Sequence, residues 1–249
     1  MLRLPVSARL ALWATVAYAG QLSLPAAVAH ATGDADHVSG ILGPLEVWRD
    51  LGERVVLVSL PRPGDATTVP RGNPDLVGAA TDARECAFVP GIGAALVPSA
   101  AGFGPANDRG TSLTWTAYDC DPWPRHRVEE LSVNETELRL REELAERTRE
   151  LDAIDGTAYP SGGRQLADLH LRGETLGLPD GVPARAQRTI ALAAQVCAIT
   201  ALGRSPVGHT VDSHSTQQRT VVLTALQAAA ERALEAAVNV SVLSLAGSR

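Results

Sequence analysis

The first half of the chain breaks its apolar residues into short runs separated by turn residues, whereas the second half spaces them as helices do. Leu10, Trp13, Ala14 and Ala17 share one helical face that Ser7 is placed to cap and Gly20 to stop. Ser23-Leu24-Pro25 opens a second short helix, so the beginning of the chain reads as a helical hairpin. Gly33-Asp34-Ala35-Asp36-His37 reads as a polar loop, and residues 45–51 as a further helical piece ended by Gly52. The β-branched run 54–60 is a strand closed by the turn Pro61-Arg62-Pro63-Gly64-Asp65. Residues 86–89 and 94–97, on either side of Pro90-Gly91-Ile92-Gly93, read as a strand pair, and the alternation over 112–118 as a half-buried strand. These connections lack the crossover helices of a parallel sheet, so the sheet is expected to be antiparallel.

From about residue 128 the pattern is helical. Ser132 and Glu135 have capping-box spacing ahead of a helix that runs to Ile154. Its apolar stripe is Leu140, Leu144, Leu151 and Ile154, with the pairs Glu137–Arg141 and Glu143–Arg147 on the wet side. A shorter helix is expected over 164–176, and a very apolar one follows Pro183 and ends at Gly203. The last helix, starting at Ser213 or Ser215, turns Val222, Leu226, Ala230, Ala233, Ala237 and Val240 inward. The fold class is therefore α+β: N-terminal helices, a small antiparallel sheet and a C-terminal helical layer. Residues 1–126 form the first region and 127–249 the second, packed together as one globular unit.

Composition sharpens this picture. Hydrophobic residues make up 45% of the 249 and aromatic ones only 4%, so the core is built from Ala, Leu and Val. The net charge is -6 and no basic run is present, which excludes phosphate-backbone recognition and an acidic membrane surface as partners. No segment reaches transmembrane length; the longest candidate, 190–202, contains Gln195. All 22 basic residues are Arg, which removes Schiff-base, P-loop and kinase chemistry that needs Lys. Cys86, Cys120 and Cys197 are too scattered for a zinc knuckle or a disulfide framework, so a reducing, cytoplasmic location is expected. The rival is secretion: Arg3 and Arg9 precede the apolar run 10–19, and Ala17-Tyr18-Ala19 or Ala29-His30-Ala31 resembles a cleavage site.

Candidate chemistry is sparse. Asp119, Asp121 and His126 lie in one strand-to-helix connection beside Cys120 and suit acid/base or metal-assisted chemistry; Asp before Pro is equally a turn residue. His30, Asp34, Asp36 and His37 form a second cluster without chelate spacing, and His209 and His214 are five apart rather than four. Ser161 lacks a nucleophile elbow, and Gly91-Ile92-Gly93 lacks the last Gly of a dinucleotide motif. Arg62 and Asp65 are expected to project from the rigid turn as binding groups, with Trp115 and Trp123 as further binding candidates. No cofactor and no metal site is expected. The chain reads as a non-enzymatic accessory protein that contacts an unidentified protein partner through sheet loops or a helix face. The alternative is a metal-dependent or acid/base hydrolase using the 119–126 loop.

Several segments resemble a family of actinobacterial hypothetical proteins with no known activity. These are Leu10-Ala11-Leu12-Trp13-Ala14 with Ala19-Gly20, Leu60-Pro61-Arg62-Pro63-Gly64-Asp65, residues 110–115, residues 178–188 and the two Ala-rich terminal helices. The resemblance implies an intracellular protein whose N-terminal segment is a folded helix. The chain departs from it over 203–215.

Overall fold

A computed structural model describes residues 4–62, 64–105, 108–124, 126–127, 133–154, 176–204 and 213–247, with only the backbone of 133, 134 and 213–216. The expected helix over 164–176, the Ser132 cap, Ser161 and His209 lie outside the described residues, as does the side chain of His214. The chain divides into two compact units. One holds Ser132–Leu176 and Gln187–Ala237; the other holds Leu4–Leu131, Gly177–Ala186 and Val238–Arg249.

The second of these is α+β. The helical hairpin forms as α1 (Val6–Tyr18) and α2 (Leu24–Thr32), and Ser23 caps α2 by accepting from the Ala26 N–H at 3.3 Å. Ten of the thirteen α1 residues are buried, which is more than one face: a helix that is apolar all round must be covered all round. It packs against α2, β2 (Leu57–Ser59), β3 (Cys86–Val89) and β4 (Ala94–Phe103). Ser7 does not cap it. Pro5 stands at the N-cap, and the buried Ser7 N–H donates instead to Glu85 Oε2 at 2.7 Å, so the cap comes from a residue 78 positions away.

Helix α3 (Leu42–Asp50) is followed by the short β2, trimmed from the expected 54–60 because Val56 N–H donates to the Thr15 hydroxyl of α1 rather than to a strand. Helix α4 (Pro74–Ala83) was not foreseen. Only Leu76 and Ala80 of it are buried, too few for a periodic signal. Its start was legible: Asn73 Oδ1 accepts from Asp75 N–H at 3.0 Å and Leu76 N–H at 3.3 Å, and Pro74 is the first helical residue.

The sheet order is β1-β5-β4-β3-β2, with β1 (His37–Ser39) at one edge and β5 (Gly110–Asp119) beside it. Neighbours among β2, β3, β4 and β5 are antiparallel; β1 pairs parallel to β5, which makes the whole sheet mixed. The end of the expected polar loop becomes β1 because Asp36 brackets Thr111. Its N–H donates to Thr111 O at 2.9 Å, and its carboxylate accepts from Thr111 N–H at 2.7 Å. At the far end, Phe103 covers the cross-strand Gly110 and stacks on His37 with ring centroids 4.9 Å apart.

Two stretches on the β2 side of the sheet are treated differently. Beyond β2 the edge is closed by one side chain: Asn239 Oδ1 accepts from Val58 N–H at 2.8 Å and its Nδ2 donates to Val58 O at 2.9 Å, fully buried. The amide thereby acts as one residue of a missing strand. On β4 the pairing with β3 stops at Leu96, while pairing with β5 continues to Phe103.

The helical unit contains α5 (Val133–Ala153), most of α6 (Ala184–Gly203) and most of α7 (Ser213–Leu245). Leu140 is buried, as are the small residues Ala193, Ala194, Ala229, Ala230 and Ala233. The expected pairs form, Arg141–Glu137 at 2.8 Å and Arg147–Glu143 at 3.4 Å, but Glu137 is 8% exposed and stands on the buried side rather than the wet one. On α7, Val222, Leu226, Ala230, Ala233 and Ala237 are buried as expected, and Val240 is half-buried.

Asn239→Ala strands both main-chain groups of Val58, at about 1–3 kcal/mol for each buried unsatisfied group. The expected loss is about 3 kcal/mol of unfolding free energy by urea titration, and Asn239→Leu, of similar size, should not recover it.

Candidate functional site

The 119–126 connection is held by main-chain bonds. Cys120 N–H donates to Gly93 O at 2.9 Å, Asp121 N–H to Arg71 O at 2.7 Å, and Trp123 N–H to Pro90 O at 2.9 Å, while Asn73 Nδ2 donates to Asp119 O at 2.9 Å. The Asp119, Asp121 and His126 side chains are exposed, and among the described residues no group of three His, Cys, Asp or Glu is gathered as metal ligands would be. Burial, then the Asp121 and Asp119 carboxylates, push the Cys120 thiol up to about 11, so it is not a thiolate nucleophile at neutral pH. Trp123 is half-buried against Phe88, with centroids 4.5 Å apart.

The second cluster is dispersed by its partners. The His30 ring stacks on Trp13 at 4.1 Å, Asp34 pairs with Arg9 at 2.7 Å, Asp36 fixes Thr111, and His37 lies on Phe103. Arg62 does not project. It is 5% exposed, exchanges main-chain bonds with Asp65 at 2.8 and 2.9 Å, and bonds the Asp65 carboxylate at 3.2 Å. Main-chain bonds close the turn while the guanidinium lies inside, which the sequence alone does not reveal. Trp115 is buried too, at 3%, and its indole N–H has no acceptor among the described residues.

Gly91-Ile92-Gly93 holds a carboxyl group, but an internal one. Glu53 Oε1 accepts from Ile92 N–H at 2.6 Å, with the Gly91 N–H also directed at the carboxylate. A side chain at Gly91 would come within 2.6 Å of Glu53 Oε1; at Gly93, where φ is +72°, it would strike the Cys120 carbonyl.

Two features escaped the sequence reading, since neither follows from residue spacing. One is a cavity of about 490 Å³ where α4 ends and β3 begins, with Asp82, Glu85, Ser99, Thr116 and Tyr118 supplying its polar side chains. Burial pushes the Glu85 carboxyl up, against the lowering effects of the Ser7 N–H and of Arg9. The other is the open side of β4. Gly93 and Cys120 continue the register Ala94↔Asp119, and the Cys120 N–H bonds Gly93 O, so odd residues of β4 turn their main-chain groups to β5 and even residues turn theirs away. Ala100 and Gly102 therefore present N–H and C=O to a side on which no strand lies among the described residues, and residues 99–105 are exposed. Pro98 stands at the head of this edge, where its missing N–H breaks no ladder bond.

These features define an α+β protein with one closed sheet edge, one open strand edge and a small acidic cavity beside the open one. The chain belongs to the Rv1486c-like protein family: residues 7–130 match its N-terminal domain and residues 134–235 its C-terminal domain. No curated protein and no solved structure matches the chain. Among the described residues no helix is long and apolar enough to cross a membrane.

Glu53 and Glu85 set an acid-side prediction. Burial raises both above their ordinary value of 4.5, so the fold favours the protonated carboxyls. Their contribution is greatest below 4.5 and is lost as pH climbs through the raised folded values; Asp65, held low by Thr67, burial notwithstanding, acts in the opposite sense below 3.8. Glu85→Gln keeps an acceptor for Ser7 N–H, so it should flatten the decline in unfolding free energy above pH 4.5. Glu85→Ala loses the acceptor and should cost about 1–2 kcal/mol by denaturant titration.

Proposed function

We propose that this protein is a non-catalytic accessory protein that binds a partner protein by accepting an extended segment along the open edge of β4. The observation that carries the reading is the unpaired run beyond Leu96. Pro98-Ser99-Ala100-Ala101-Gly102-Phe103 is already held flat by β5, bears no charge and is exposed from Ser99 onward. Edge strands ordinarily carry charges, bulges or a cover that discourage pairing, as Asn239 covers β2 here. An edge left open with small side chains lets an incoming backbone approach closely, and main-chain bonds then supply affinity. Phe103, 41% exposed, offers an apolar anchor at the end of the run.

The experiment uses the full chain with a photoreactive phenylalanine analogue at position 103. Asp75 serves as a control position, because Asn73 ties that end of α4 to Asp119, at the opposite end of the β4–β5 pair. A discrete partner adduct is expected from position 103 and not from position 75. Gly102→Pro removes an outward N–H without touching the β5 ladder, so it should abolish the adduct with the melting temperature preserved. An adduct that survives the proline refutes strand addition.

The rival hydrolase reading, with Asp119, Asp121 and His126 around a divalent ion, is tested separately. Metal analysis of protein purified without chelators is expected to give well under one equivalent. A stoichiometric ion lost in Asp121→Asn would establish the rival instead.

A further inference from the structure

The cavity beside β4 exists because two elements stop short of filling it. Helix α4 lines it with Ala79 and Ala83, which are too small to occupy the space between a helix and a sheet, and β3 no longer pairs where Pro98 and Ala100 form its rim. Its volume of about 490 Å³ falls within the range of about 300–1,000 Å³ common for small-ligand sites. The charged side chains on its wall are Asp82 and Glu85, and among the described residues no basic side chain lines it.

Glu85 is held in place by the Ser7 N–H at 2.7 Å, so the carboxylate is fixed rather than swinging in solvent. The cation whose field reaches it, Arg9, is committed to Asp34 at 2.7 Å. A carboxylate in that position is stabilised by a second cation that brings its own apolar stem and so does not carry a full water shell into the cavity. The chain has no lysine and supplies no side-chain ammonium of its own.

The geometry points to this cavity as a binding site for an alkylammonium group, its charge against Glu85 and Asp82 and its stem along Ala79 and Ala83. Ser99, Thr116 and Tyr118 supply hydroxyl groups that can accept from the ammonium hydrogens. The same chemistry comes from a free amine or from the lysyl side chain of an extended peptide on the adjoining edge. The assignment of the cavity does not rest on strand addition; only the lysyl source does.

The test uses the full-length protein and calorimetric titration with n-pentylammonium, n-pentanol and n-pentanoate. Pentylammonium is expected to bind about tenfold or more tightly than pentanol, as a charge-assisted hydrogen bond allows, and pentanoate not measurably. Glu85→Gln and Asp82→Asn should each weaken pentylammonium about tenfold, and Ala83→Leu should block it, with melting curves confirming that all three fold. Equal affinity for the alcohol, or binding that survives all three substitutions, overturns the site. The source is read with acetyl-Ala-Ala-Lys-Ala-Ala-amide against its norleucine counterpart. A lysyl peptide that binds more tightly than pentylammonium, and loses only that advantage in Gly102→Pro, assigns the ammonium to a docked strand. A peptide no better than pentylammonium assigns it to a free amine and leaves the cavity site standing, so failure of strand addition is distinguishable from failure of the site.

Discussion

The constraint on which the α+β unit depends is the burial of α1. A thirteen-residue helix with ten buried positions cannot lie on a surface, so the neighbouring elements must meet its polar groups as well as its apolar ones. They do so at several points. Glu85 takes the Ser7 N–H, Thr15 takes the Val56 N–H, and the Tyr18 hydroxyl donates to Leu45 O at 2.8 Å, its ionisation suppressed by burial and then by Glu53. Each bond ties the helix to a different element, and together they set where β2, β3 and α3 lie around it.

The same economy governs the polar side chains. Asp36 starts β1, Glu53 gathers the hairpin N–H groups, Asn73 caps α4 while holding Asp119, and Asn239 closes β2. A group used in this way has little freedom to serve a reaction, because moving it would release a buried main-chain partner. The helical unit follows the pattern: Arg204 donates to Gln227 at 2.6 Å, Gln227 to Glu231 at 2.7 Å, and Cys197, desolvated and facing the field of Glu231, is pushed up to about 12.

The outer half of β4 and the cavity at its flank lie side by side on the α+β unit. Both lie where β4 runs on past the start of β3 at Cys86. A shorter β4 would leave no edge, and a β3 extended by one residue would take Glu85 into the ladder opposite Pro98. The binding reading and the cavity reading therefore share a structural origin while depending on different atoms: main-chain N–H and C=O in one case, carboxylates in the other.

The sequence by itself determined the local elements whose signals are short in range. Ser23 and Pro25 open α2, Gly20 ends α1 with φ at +77°, the alternation in β5 is visible, and the apolar stripes of α5 and α7 recur at helical spacing. It placed neither of the features on which function is now argued. Glu85 and Ser7 are 78 residues apart, and Asn239 and Val58 are 181 apart. Spacing along a chain carries no record of such meetings, because they are fixed by how whole elements pack. The Arg62–Asp65 turn shows the limit even at short range: Pro and Gly announced the turn, but only the surrounding core decided that the guanidinium points inward. Sequence fixes which segments become helix or strand through local torsion and periodicity, whereas tertiary packing alone decides which strand edges and which carboxylates come to line a cavity.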